Sequence, residues 1–434
     1  MTQQTGYANL VAALALASTL GAMAGDTVPP CVYSAAPAGD GHSCGWLDQP
    51  ESLVPRAINN LGHWAGYRNR CDVEVISDGF GRLPLKWTPE TGVQHLPLPP
   101  ETHDARALGI NDSGVVVGWR AGKAVIGSQL GYWGCVWGPQ GMVEIPHHEP
   151  LGNSSFAFAI NNAGIVVGYR DTEDPPILRK AFVWTSGTIV DIDPAPFGST
   201  RSDARDVSDT GFVVGILGIE TTASSKAFIW KDGVTQLLAP VEGAVAARAY
   251  GVNDLGQAVG SCRIPQAEYP GFTNQPTVWD ADGTPRLLPI LPPYTGATLY
   301  SINNGGVVLG LMSVPPIPGY YLRFAVWIDD VPYWVSDLAD SPSTSNLGGV
   351  NADLNQRGQL VVEGPSSLVY GAWILTPQSS AADLNGDCRV DGLDLAALLG
   401  AWGPCSATEH ADLDRSGTVD GADLGALLGA WSVE

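Results

Sequence analysis

The stretch Ile160-Asn161-Asn162-Ala163-Gly164-Ile165-Val166-Val167-Gly168, with Ala181-Phe182-Val183-Trp184 after it, decides how this chain is read. An apolar residue leads into Asn-Asn-x-Gly, and a β-branched run then ends in a second glycine. Asn offers local hydrogen bonds and Gly accepts positive φ, so the step predicts a tight turn between two strands. The pattern returns seven times, its lead polar residue being Asn59, Asn111, Asn161, Ser208, Asn253, Asn303 and Asn355. Six copies carry the second glycine, at Gly66, Gly118, Gly168, Gly215, Gly260 and Gly310, and the seventh has Val362. A tryptophan runs in phase with it, at Trp87, Trp137, Trp184, Trp230, Trp279, Trp327 and Trp373. Two markers sharing one count and one period, about 48–49 residues, identify an internal repeat.

Each unit reads as four short strands. In the second unit they are expected at 106–110, 115–119, 134–137 and 142–145, with the turn at Asn111-Asp112-Ser113-Gly114. Four-stranded units of this size predict an all-β, seven-bladed β-propeller over residues 25–377. Each tryptophan is expected to fill the core between blades. The last unit turns polar after Trp373-Ile374-Leu375-Thr376-Pro377, one strand short. A strand from 26–52, which includes Cys31-Val32-Tyr33 and Gly45-Trp46-Leu47, would complete it and hide both sheet edges. The alternative is an open or eight-unit arrangement.

These units resemble the HAF family of extracellular repeats, with its Ile-Asn-x-x-Gly-x-Val-Val-Gly core and Ala-Phe-x-Trp strand. The match is plainest at 160–168 with 181–184, and at 207–215 with Ala227-Phe228-Ile229-Trp230. It covers about residues 53–375, and implies an exported repeat protein without assigned chemistry. Ser208 departs from the motif Asn, and Arg357 with Val362 degrade the seventh copy.

Composition agrees with a turn-rich β chain. Gly (53) and Pro (33) make up about a fifth of the 434 residues, and charged residues only 15%. The formal net charge of -22 excludes nucleic acid as a default partner, because phosphate binding needs a basic surface. Residues 10–24 form an apolar run ending in Ala22-Met23-Ala24, read as a signal peptide over 1–24 cut before Gly25. Residues 1–9 lack the usual Lys or Arg. The run is short for a bilayer span, and no other stretch reads as one. The expected location is extracellular or in the cell envelope. Cys135 and Cys262 lie in strand-like runs and read as core residues. No CxxC, GxSxG, HExxH or P-loop occurs, and His147-His148-Glu149 sits in a proline-flanked surface loop.

The C-terminal residues 383–434 hold a duplication with a period of 29. The first loop runs Asp383-Leu384-Asn385-Gly386-Asp387-Cys388-Arg389-Val390-Asp391-Gly392-Leu393-Asp394. The second runs Asp412-Leu413-Asp414-Arg415-Ser416-Gly417-Thr418-Val419-Asp420-Gly421-Ala422-Asp423. Hard oxygens at alternate positions of a tight loop can wrap a Ca²⁺ ion in the EF-hand manner. In the first loop the expected ligands are Asp383, Asn385, Asp387 and Asp394, the Arg389 carbonyl, and Asp391 directly or through water. In the second they are Asp412, Asp414, Ser416 and Asp423, the Thr418 carbonyl, and Asp420, giving two ions in all. A short helix follows each loop. Leu395, Leu398, Leu399 and Trp402 recur as Leu424, Leu427, Leu428 and Trp431, and these stripes are expected to pack together.

This segment resembles a type I dockerin, with Asp rather than Glu at loop position 12. The resemblance implies calcium at those ligands and docking to a cohesin-like or other extracellular module, often on a carbohydrate-degrading assembly. Two departures stand out. Neither helix has Lys or Arg, Gly400 and Gly429 taking places that are usually basic, and Cys388 stands where the sharp turn prefers glycine. Cys388 is expected to pair with Cys405, and Cys31 with Cys44; residues 378–382 read as the linker.

Two functions fit this reading. The first is an exported, non-catalytic binding or display protein anchored through its calcium module. The second is a carbohydrate-active enzyme, a glycoside hydrolase or polysaccharide lyase, with its site in the propeller channel. Three or more convergent carboxylates or histidines in that channel would favour the enzyme.

Overall fold

The computed structural model describes residues 32–38, 53–69, 81–123, 130–146, 154–172, 178–218, 225–266, 271–313, 322–338, 351–365, 370–405 and 410–432. The segment read as a signal peptide, His147-His148-Glu149, Cys71 and the expected Cys31–Cys44 pair lie outside these residues. Among the described residues, no helix is long and apolar enough to cross a membrane.

Seven four-stranded antiparallel sheets follow one another, each in simple up-and-down order. Blade two, for example, is built from Thr102–Ile110, Val116–Lys123, Leu130–Gly138 and Gly141–Glu144. The first strands of successive blades lie side by side, and Leu53–Ile58 of blade one meets Ala352–Leu354 of blade seven, so the ring closes. Blade seven takes its fourth strand from the start of the chain: Tyr33–Pro37 pairs antiparallel with Tyr370–Pro377, Ala35 opposite Leu375. The fold is a closed seven-bladed β-propeller, not an open or eight-unit array.

The tryptophans join neighbouring blades. Trp137, Trp279 and Trp327 are buried, and their indole N–H groups donate to Pro97 O (2.9 Å), Ala239 O (2.7 Å) and Pro289 O (2.8 Å) in the connection from the preceding blade. Trp137 packs on Ala57 and Ala65 of blade one. The second glycine answers a different need. The inner strands of blades one to six each carry a register shift just before the turn. Such a bulge kinks the strand and pushes a carbonyl toward its partner. At Gly66, Gly118, Gly168, Gly215 and Gly260 an added Cβ would lie 1.8 to 2.0 Å from that carbonyl oxygen. Blade seven pairs Ala352 directly with Val362, without a shift, and so tolerates a side chain there.

After the propeller come two helices, α1 (Gly392–Gly400) and α2 (Gly421–Gly429). They share a core of Ala382, Val390, Leu398, Ala411, Val419 and Leu427. The expected packing of whole Leu-Trp stripes holds only in part. Leu398 and Leu427 are fully buried, whereas Leu399, Trp402, Leu428 and Trp431 are exposed. Nine-residue helices meeting through one central leucine each cannot cover the outer part of either stripe.

Gly118→Ala should cost about 3 kcal/mol or more, because backbone must move to admit the methyl group, while Gly138→Ala, with open space around it, should stay within about 0.5 kcal/mol. Urea unfolding of both variants checks this; equal effects would contradict it.

Candidate functional site

The turn residues do more than close their own turns. In Asn59, Asn111, Asn161, Asn253, Asn303 and Asn355, Oδ1 accepts the backbone N–H four residues on, at 2.8 to 3.0 Å. Nδ2 points the other way, to the next blade: Asn59 to Asn111 O, Asn111 to Asn161 O, Asn161 to Ser208 O, Asn253 to Asn303 O, and Asn355 back to Asn59 O. A side-chain amide carries an acceptor oxygen and a donor nitrogen side by side, so one residue makes both contacts. Ser208 keeps the first contact, from Phe212 N at 3.2 Å, but has no amide; Thr210 Oγ1 bridges instead to Asp254 O at 2.9 Å. Asn303 breaks the pattern by donating to Asn385 O, in the first acidic loop, at 2.8 Å.

A second ring is built from the next residue of each motif. Asn60 N donates to Asp112, Asp112 N to Asn162, Asn162 N to Asp209, Asp254 N to Asn304, Asn304 N to Gln356, and Gln356 N to Asn60. At blade four the contact slips by one residue, Thr210 N taking Asp254 Oδ1.

These rings and the inner strands enclose an axial cavity of about 500 Å³. The bulged residues Arg56, Phe158, Arg205, Tyr250 and Tyr300 line it. So do four carboxylates, Asp112, Asp206, Asp209 and Asp353. That count meets the expectation set for an enzyme, but each carboxylate is engaged in joining blades. Asp206 accepts Val207 N (2.8 Å) and Val252 N (2.9 Å), and Asp353 accepts Ile58 N (3.0 Å) and Ser301 Oγ (2.6 Å). Burial pushes Asp206 up to about 7, and the nearby charge of Asp353 adds to the rise. The sequence reading missed both residues. Their signal is present: the same repeat position holds Ala57, Gly109, Ala159, Gly251 and Ser301 in the other blades.

The two acidic loops are built alike. Asp383 accepts Gly386 N and Cys388 N (2.8 and 2.9 Å), as Asp412 accepts Ser416 N and Gly417 N (2.9 and 2.8 Å). Asp394 gathers Leu384 N, Asn385 N and Asp391 N, and Asp423 gathers Leu413 N, Asp414 N and Asp420 N. Asp391 and Asp420 also cap the N-termini of α1 and α2. In the second loop, oxygens of Asp412, Asp414 and Asp423 lie within 4.8 Å of one another. In the first, position 3 is the amide Asn385, whose Nδ2 donates to Asp387 at 2.9 Å. Burial, and then the charges of Asp383 and Asp394, push Asp387 up to about 6. A donor set made wholly of oxygens fits Ca²⁺ rather than a softer metal, and a cation there would relieve the crowding of carboxylates.

The first loop also touches the propeller. Gly386 lies against the backbone of Arg357 and Gly358, so close that a Cβ on it would fall 2.3 Å from Arg357 C. Arg389 pairs with Asp329 of blade six at 3.0 Å. The expected Cys388–Cys405 bridge does not form. Cys388 is disulfide-bonded, but Cys405 is not its partner. Cys405 faces the second loop, its N–H on Gly417 O and its Sγ 3.6 Å from Asp412 Oδ2, whereas Cys388 belongs to the first. Cys388 has φ 73°, the left-handed conformation that Gly417 adopts in the second loop.

No protein-family model matches the chain, and no curated protein matches its sequence. Among solved structures it is similar to an acylaminoacyl peptidase of Pyrococcus horikoshii (10% identity, TM-score 0.48, 77% of this chain and 53% of that one). It is also similar to the β-propeller domain of the Trilobed protease from Pyrococcus furiosus (8%, 0.45, 78% and 97%) and to streptogramin B lyase (10%, 0.44, 80% and 98%). The chain thus spans about half the length of the peptidase. Likenesses this distant say nothing about its chemistry.

Because burial raises Asp206 above its ordinary 3.8, its contribution to stability is complete below about pH 4 and is lost as pH rises through about 7. Asp206→Asn, which cannot titrate, should flatten the dependence of Tm on pH in that window, measured at constant calcium. An unchanged slope would show that another group is responsible.

Proposed function

We propose that this is an exported, non-catalytic binding or display protein, in which the propeller carries the binding surface and a calcium-dependent, dockerin-like module attaches it to an extracellular partner. One observation carries the reading: in both loop-helix units the carboxylate at position 12 gathers the same three backbone N–H groups, those of positions 2, 3 and 9. In the second loop, oxygens of Asp412, Asp414 and Asp423 come within 4.8 Å of one another, which supports a cation site there. Calcium would be held by the residues expected from the spacing: Asp383, Asn385, Asp387 and Asp394 in one loop, and Asp412, Asp414, Ser416 and Asp423 in the other. The partner is a cohesin-like or similar module, and the surface offered to it is apolar rather than basic, consisting of Leu399, Trp402, Leu428 and Trp431.

A second reading, the carbohydrate-active enzyme, draws on the four carboxylates of the cavity and above all on Asp206, buried and pushed up to about 7. Release of reducing ends or unsaturated products from a polysaccharide panel, lost in Asp206→Asn, would favour it. The engagement of the cavity carboxylates by backbone N–H groups supports the non-catalytic reading instead.

Calorimetry on the full chain should find two calcium ions, with Asp394→Ala weakening one site and Asp423→Ala the other. Because Asn385 O is bonded to Asn303 of the propeller, filling the first loop should raise the Tm of the whole chain. At one hundred times Kd the gain is about 2.7 kcal/mol, and chelator should remove it. No calcium uptake at millimolar concentration would overturn the reading.

A further inference from the structure

Arg106, on the inner strand of blade two, is held in an unusual way. Its guanidinium lies 5.3 Å from the Tyr67 ring and 5.0 Å from the Trp119 ring. None of its N–H donors makes a hydrogen bond among the described residues. Its charge partner is Asp104, 3.8 Å from Nη2, and Asp104 is already taken by Arg82 N (2.9 Å) and Arg82 Nη1 (3.2 Å). Nε is buried, while the side chain as a whole is 30% exposed, so the two Nη groups face outward. Burial, and then the charge of Arg82, draws Arg106 below the ordinary guanidinium range, with Arg56 adding to it. An anion placed there would meet fork-shaped donors that make no hydrogen bond among the described residues.

The rings continue from this point. Phe156 lies 5.4 Å from Trp119 and 4.9 Å from Tyr169. At the far end Arg179 stacks on Tyr169 at 3.8 Å, and Arg205 on Phe158 at 4.6 Å. The fold does not dictate this ribbon. The residue after the second glycine is Tyr67, Trp119 and Tyr169 in blades one to three, but Ile216, Ser261, Leu311 and Glu363 stand there in blades four to seven. Guanidiniums at both ends, with partly exposed aromatic rings such as Tyr67 and Phe158 beside them, suit an extended ligand that repeats an anion and an apolar ring. Asp104, Asp171 and Asp203 sit among the arginines and accept hydrogen bonds. They can accept the hydroxyl donors of a sugar chain, while its carboxylates go to the guanidiniums.

We propose that the ribbon across blades one to four binds an acidic sugar chain, with a uronate carboxylate on the Nη groups of Arg106 and sugar rings against Tyr67 and Phe158. This rests on reading the propeller as the binding part of the protein.

The test is calorimetry on the full chain at constant calcium, with a galacturonate oligosaccharide, a neutral galactose oligosaccharide of equal length and a single-stranded DNA oligonucleotide. The acidic sugar should bind and the other two should not. Arg106→Gln should weaken binding about tenfold or more, and Arg106→Lys should not restore it, because the ammonium lacks the planar fork. Arg248→Gln, at the same repeat position in blade five, should bind as the wild type does. If Arg106→Gln fails to fold, Tyr67→Leu should show the same loss. Equal binding of the neutral sugar, preference for DNA, no binding in any arm, or full binding by a folded Arg106→Gln or Tyr67→Leu would each overturn the site. Calcium uptake by the same samples reads the module separately, so its failure is told apart from failure of the sugar site.

Discussion

An asparagine in six of the seven blades, giving its oxygen to its own turn and in five of them its amide to the next blade, is the contact on which the propeller depends. Each of these side chains is almost wholly buried, so neither half of the contact can be left unmade without cost. A buried hydrogen bond contributes about 1 kcal/mol net, but a buried polar group without a partner costs about 1–3 kcal/mol. The asparagine is therefore repeated for what its loss would do as much as for what it adds. It also explains how a ring of separate sheets behaves as one body. Asn355 reaches Asn59 O at 2.8 Å, and Gln356 N reaches Asn60 Oδ1 at 3.0 Å, so the last blade is tied to the first by the same contacts that tie the others.

The exception at Asn303 ties the two parts of the protein together. Its amide leaves the ring and takes Asn385 O, which places the first acidic loop against the turns of blades six and seven. The close approach of Gly386 to Arg357 and Gly358 fixes the same contact by shape. The module is thus seated on the propeller by its first loop, and its apolar outer face is left open. The two loops are similar in sequence but differ in circumstance. The first is buried against the propeller with an amide at position 3, while the second gathers three carboxylates.

Much of this was legible in the sequence, for a physical reason. A blade buries its faces only against copies of itself, so the constraints on one unit recur in all, and the period exposes them. The tryptophans and the duplicated loops could be read in the same way. What the sequence could not give is anything lying between repeats of unlike position. The local role of Asn161 in its turn is visible in Asn-Asn-x-Gly, but its bond to Ser208 O is not. Nothing near Asn303 announces a partner 82 residues away. The Cys388–Cys405 pairing looked natural along the chain and fails because the two residues face different loops. Asp206 and Asp353 stand out only once the repeats are superposed, as charges at a position otherwise small.

Hydrogen exchange on the full chain, read peptide by peptide over the seven turns, tests the central claim most directly. If the asparagine ring couples the blades, the amides at His63, Val115, Ile165, Gln257, Val307 and Gln359 should exchange slowly and together, at the rate of global unfolding. Asn161→Ala should speed exchange in all of them. Blades that exchange at separate rates, with Asn161→Ala affecting only its own turn, would contradict the account.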